Sequence, residues 1–121
     1  MPRFSPKLTE HFNTPRNAGE IALPTVVGEA NRAGRARRVT IYLKVEDNLV
    51  SQASFTTFGC GVTIACCSAL TELATGRSID ECHSIKAADI VAELDGIPAD
   101  KQFCAGVAVA ALRQAIEKLH N

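Results

Sequence analysis

The sequence has no net charge: Lys+Arg and Asp+Glu each number 13 in 121 residues. A balanced chain has no global field to attract nucleic acid, so no nucleic-acid partner is expected. No apolar run approaches the ~18 residues that a membrane-spanning helix requires, so no membrane span is expected. The opening residues, Met1-Pro2-Arg3-Phe4-Ser5-Pro6, lack the apolar block of a signal peptide, and the expected location is the cytoplasm. A Gly-rich phosphate loop, a nucleophile elbow and a helix with paired carboxylates are also missing. Acid–base catalysis therefore has no visible machinery, and the chain is expected not to be an enzyme. Cys-x-x-Cys is absent too, which argues against a zinc ribbon or a thioredoxin-like motif.

Cysteine itself is present, as Cys60, Cys66, Cys67, Cys82 and Cys104. The number is odd, and a cytosol keeps thiols reduced, so a full set of disulfides is a poor reading. The length predicts one domain over residues 1–121, burying roughly 65% of its unfolded surface. Hydrophobic residues at 46% and charged residues at 21% describe a globular chain rather than a disordered one. Charge is unevenly placed. Residues 1–45 hold 8 basic and 3 acidic side chains, and residues 46–121 hold 5 and 10. Arg32, Arg35, Arg37, Arg38 and Lys44 form the densest basic stretch, with no carboxylate between Glu29 and Glu46. It reads as a solvated strand edge or as a docking patch for an acidic partner.

Ser5-Pro6 is an N-cap followed by proline, predicting a short helix from Pro6 to Phe12. Val39, Ile41, Leu43 and Val45 alternate with polar residues, predicting a half-buried strand. Glu46-Asp47-Asn48 is a hairpin turn, and Leu49 to Phe58 continues as a second strand with Ala53, Phe55 and Thr57 on one face. A further strand falls near Val26–Ala30. After Gly59-Cys60-Gly61 the period changes. Val62 to Thr75 is apolar nearly all round and stops at Gly76, a buried helix with a glycine end. Ser78 and Glu81 form a capping box for the next short helix, and Ala87 to Leu94 form another, closed by Gly96. In the last helix Cys104, Val107, Ala108, Ala111, Leu112, Ala115, Ile116 and Leu119 share one face. The order predicts an α+β fold: a small antiparallel sheet of about three strands, helices packed on one face, and a long C-terminal helix.

Cys60 sits where a strand passes into a helix. The flanking glycines allow a sharp turn and leave the sulfur accessible. A helix N-terminus offers unpaired N–H groups and partial positive charge, which favour thiolate. A thiolate binds soft metals or attacks sulfur. A buried structural thiol is the plainer alternative. Cys104 repeats the logic at the start of the last helix, where it also joins the apolar face. Two helices side by side would let Cys60 and Cys104 share one site. Cys67 lies two turns beyond Cys60, about 10 Å along the axis, and reads as core more readily than as a third ligand. Cys66 is a weaker candidate still. His83, beside Cys82, reads as a surface imidazole.

These residues carry a resemblance. His11-Phe12-Asn13-Thr14-Pro15-Arg16-Asn17-Ala18-Gly19, Leu43-Lys44-Val45, and Phe55-Thr56-Thr57-Phe58-Gly59-Cys60-Gly61-Val62-Thr63-Ile64-Ala65 are similar to segments of the IscU/NifU N-terminal type of iron–sulfur cluster assembly scaffold. The similarity continues through Ser68-Ala69-Leu70-Thr71-Glu72-Leu73 and Asp89-Ile90 to Leu94-Asp95-Gly96-Ile97-Pro98. It implies the α+β scaffold fold and transient binding of iron and sulfide. It also implies sulfur delivery by a cysteine desulfurase, and cluster transfer to acceptor proteins with the help of chaperones. Cys60 and Cys104 match the middle and last cysteines of the family's cluster site. The first motif, Cys-Gly-Asp, corresponds to Ala33-Gly34-Arg35, which removes a thiolate and a carboxylate and adds a cation. The histidine before the last cysteine is Phe103. The chaperone-recognition segment, Leu-Pro-Pro-x-Lys, is partly kept as Ile97-Pro98-Ala99-Asp100-Lys101.

An Fe–S or zinc site is normally closed by four ligands. The resemblance thus leaves several arrangements open. Two subunits of a homodimer could each give Cys60 and Cys104, or Cys66 or Cys67 could complete one subunit's set. Zinc could substitute for iron at the same sulfurs. The chain could instead be a cluster-free interaction module, or a thiol protein that accepts a persulfide on Cys60.

Overall fold

The computed structural model describes residues 4–31 and 38–119. Its first helix, α1, spans Pro6–Asn13, one residue beyond the expected end. Ser5 caps it, its hydroxyl accepting the Leu8 N–H at 2.9 Å, and Pro6 takes the first turn where no donor is needed. Three strands follow: β1 (Val26–Asn31), β2 (Arg38–Glu46) and β3 (Leu49–Phe58), antiparallel in the order β1-β2-β3. Asp47 and Asn48, both at positive φ (53° and 63°), make the β2–β3 turn, the left-handed pair that a two-residue hairpin requires.

The β2–β3 register breaks between Lys44 and Val45, where Gln52 and Val50 are the successive partners and Ser51 is passed over. The extra residue resets the alternation. Val50 thereby joins Ala53 and Phe55 in the core while Ser51 stays exposed. Thr57, expected on that face, is half-buried and donates its hydroxyl to the Arg38 carbonyl at 2.6 Å.

The helical half starts with α2 (Gly61–Ala74), stopped by Gly76 at φ 88°. Next come α3 (Ile79–His83) and α4 (Ala87–Glu93), a 3-10 turn (Ala99–Lys101), and α5 (Phe103–Lys118). The capping box of α3 is complete: Ser78 Oγ accepts from Glu81 N–H, and Glu81 accepts from Ser78 N–H. α4 has a reinforced start of its own, the Asp89 carboxylate accepting the Lys86 N–H at 2.8 Å. α5 lies over β1 and β2, and α2 packs on β3 and α5. One apolar core fills the space between sheet and helices, with Ile41, Leu43, Leu70, Leu112 and Ile116 among its fully buried members.

Two devices position this core. At Gly28 β1 touches α5, and a Cβ there would run into the Ala111 carbonyl and the Ala115 backbone. Beside that contact α5 covers the outer edge of β1. Gln114 accepts the Glu29 N–H at 2.5 Å, and Lys118 Nζ donates to the Val27 carbonyl at 2.8 Å. A sheet edge is thereby kept from pairing with other chains. The second device joins α1 to α2. His11, 2% exposed, places Nδ1 2.8 Å from Ser68 Oγ and Nε2 3.6 Å from a Glu72 carboxylate oxygen. Ser68 Oγ also accepts the Arg16 N–H at 2.8 Å. Among the described residues no helix is long and apolar enough to cross a membrane.

Candidate functional site: a pair of sulfurs at two helix ends

Cys60 is the N-cap of α2, in extended conformation (φ −84°, ψ 174°), and its carbonyl accepts the Ile64 N–H at 3.2 Å. Its sulfur therefore stands at the positive end of a 14-residue helix. Cys104 is the second residue of α5, at the corresponding end of the longest helix. Packing of α2 against α5 brings these two ends together, and the sulfurs lie 4.0 Å apart. At that distance either S–H can donate to the other sulfur, and the gap is well beyond a disulfide bond of about 2.05 Å. Cys60 is half-buried, while Cys104 is 1% exposed. One residue of the pair is thus partly open to solvent and the other is closed off from it.

The glycines beside Cys60 serve a different purpose from the one expected. Neither has a left-handed φ. What each supplies is space. A Cβ on Gly59 would come within 2.9 Å of the Thr63 side chain, and one on Gly61 within 2.7 Å of the Phe12 ring. The space at Gly59 seats Thr63, whose Oγ1 is 3.7 Å from Cys60 Sγ. Thr63 is the site residue the sequence reading missed. Its signal was present, a hydroxyl three residues after an N-cap cysteine, where a first-turn side chain faces the cap.

The remaining thiols are structural in placement. Cys66 and Cys67 are fully buried, and burial pushes both thiols far above the ordinary range, with neighbouring sulfurs adding to the effect. Cys67, the candidate third ligand, therefore sits fully buried in the core as a protonated thiol. Cys82 is also buried, pushed up to about 11, and donates its S–H to the Ala74 carbonyl at 3.4 Å. His83 is exposed, as expected. Phe103 is half-buried at the first position of α5. Ala33, Arg35 and most of the basic stretch lie outside the described residues. Of the rest, Arg38 of β2 pairs with Glu29 of β1 at 3.7 Å. Among the described residues no group of three or more His, Cys, Asp or Glu side chains is arranged to hold a metal ion.

A two-sulfur site on a three-stranded α+β domain defines a small thiol-bearing domain suited to soft metals and to sulfur exchange. The chain belongs to the family described as the NifU-like N terminal domain, which matches residues 3–121. It is 39% identical over 113 residues to the iron-sulfur cluster assembly scaffold protein IscU 1 of Archaeoglobus fulgidus, covering 93% of this chain and 74% of that one. It is 34% identical over 116 residues to the corresponding IscU scaffold protein of Aquifex aeolicus, covering 94% and 74%. The fold matches the crystal structure of a NifU-like protein (N-terminal) from Brucella abortus with a TM-score of 0.80 at 16% identity, over 96% of this chain and 93% of that one.

Proposed function

We propose that the chain is an iron–sulfur cluster assembly scaffold that binds iron and sulfide through Cys60 and Cys104. The observation that carries this is the 4.0 Å spacing of the two sulfurs at two helix ends. A tetrahedral ion with metal–sulfur bonds of about 2.3 Å holds its sulfur ligands about 3.8 Å apart, so the pair fits one ion with little adjustment. The same spacing suits zinc as a substitute. Four thiolates are the usual complement of a cluster. Two chains related by a twofold axis supply four, so the loaded form is a homodimer around shared cargo.

Sulfur arrives at the half-buried Cys60 from a cysteine desulfurase, and the cluster leaves for acceptor proteins with chaperone help. The relatives' names and the chain's membership of the family support this reading, as does the partly kept Ile97–Lys101 segment. The chain acts as a carrier rather than an enzyme, in the cytoplasm, where its thiols stay reduced.

Anaerobic reconstitution with ferrous iron and inorganic sulfide tests the proposal. The wild type is expected to gain sulfur-to-iron charge-transfer absorption and to become dimeric. Cys60→Ala and Cys104→Ala lose both, whereas Cys67→Ala keeps them. A colourless wild type, or full loading of Cys60→Ala, overturns it. The first outcome favours a cluster-free interaction module.

A further inference from the structure

Two thiols in contact form a redox couple as well as a ligand pair, and here they are unequal. Cys60 is half-buried and can be reached by a bulky sulfur donor; Cys104, 1% exposed, can be reached from Cys60 and hardly from solvent. This is the division between a receiving thiol and a resolving thiol. The gap of 4.0 Å exceeds an S–S bond by about 2 Å, so the two sulfurs start as near neighbours and approach by that much to bond. Thr63 Oγ1, 3.7 Å from Cys60 Sγ, steadies the sulfur that would be attacked. Cys66 and Cys67 lie deeper on α2, wholly buried, and do not compete for a donor.

We infer that Cys104 resolves a persulfide formed on Cys60, releasing the outer sulfur as hydrosulfide and leaving a Cys60–Cys104 disulfide. This rests on the proposed delivery of sulfur to Cys60, and it adds how the delivered sulfur becomes sulfide. The Cys104 thiolate attacks the inner sulfur, the one bonded to the Cys60 Cβ. The persulfide S–S bond breaks, and its electron pair and proton leave with the outer sulfur as HS⁻. One sulfur is reduced by two electrons, the two cysteine sulfurs are together oxidised by two, and the negative charge passes from thiolate to hydrosulfide. The co-reactants are a sulfane-sulfur donor at the start and a dithiol reductant that reopens the disulfide through Cys60. The two-cysteine site thus makes sulfide at the place where iron is to be bound, and one dithiol per sulfide released returns the pair to its reduced form.

The test treats oxygen-free, fully reduced protein with a thiol-free organic persulfide, removes the excess, and measures released sulfide and intact mass. The wild type is expected to release one sulfide per chain and to lose two hydrogen atoms in mass, both restored by dithiothreitol. Cys104→Ser, and separately Cys104→Ala, should instead keep one added sulfur on Cys60, with release at least about ten-fold slower until dithiothreitol is added. Cys82→Ala should behave as wild type. Release from both Cys104 variants at the wild-type rate overturns the inference, as does a wild type that keeps its added sulfur. Loading with iron and inorganic sulfide bypasses the persulfide. A chain that loads iron but holds its persulfide sulfur therefore overturns the inference alone. A chain that releases sulfide but loads no iron overturns only the scaffold reading.

Discussion

Cys60 and Cys67 are seven residues apart on α2 and differ in environment more than in chemistry. Cys60 caps the helix at the surface, and Cys67 is sealed within the core, where burial keeps its proton on. Reactivity toward an alkylating agent should therefore be confined to Cys60, with Cys104 shielded behind it. Thr63 modulates that reactivity. Thr63→Val keeps the shape but removes the hydroxyl 3.7 Å from the sulfur. A hydrogen bond of about 1 kcal/mol or less corresponds to a change of up to about five-fold, so iodoacetamide should modify Cys60 about two- to five-fold more slowly in this variant. Peptide mapping with timed quenching checks this, and an unchanged rate would remove Thr63 from the site.

At the scale of elements, the contact of α1 with α2 rests on a histidine held neutral. Burial pushes the His11 value down, with Arg16 adding to it, while Glu72 and Glu10 oppose. Below the ordinary imidazole value of about 6.5, the unfolded chain takes up a proton that the folded chain refuses. Stability is then complete above that pH and falls as pH drops, by at most about 1.4 kcal/mol per pH unit from this group. Urea midpoints measured from pH 8 to pH 5 should decline in the wild type, and His11→Gln should flatten the decline. The contact of β1 with α5 rests on a missing side chain. Gly28→Ala forces a methyl group into the α5 backbone and should cost about 2–3 kcal/mol. Gly106→Ala on the exposed face of α5 meets nothing within 4 Å and should add about 0.5–1 kcal/mol. Urea unfolding of the two variants checks both signs.

Over the whole molecule, what was legible in the sequence was whatever lies in local pattern. The alternation of Val39, Ile41, Leu43 and Val45, the Ser78–Glu81 box and the apolar face of the last helix each depend on neighbours in the chain. The three strands and the order of helices appear where those patterns placed them. The break at Ser51 was not legible, because a bulge depends on the partner strand. Nor was the reason for Gly59 and Gly61, since the groups they make room for fold against them from Thr63 and Phe12. The approach of Cys104 to Cys60 could be argued from two helix starts, but 44 residues separate them, and only the packing of α2 on α5 fixes the 4.0 Å. Cys67 shows the opposite limit, since spacing along a helix gives a face but not the depth at which that face is buried.

Cys60 and Cys104 act as one two-sulfur site, and a trivalent arsenical, which needs two adjacent thiols, reads this directly. Intact mass of the reduced chain treated with phenylarsine oxide should show one arsenical per wild-type chain, and none that survives washing in Cys60→Ser or Cys104→Ser. An untouched wild type, or retention of the arsenical by both variants, would contradict it.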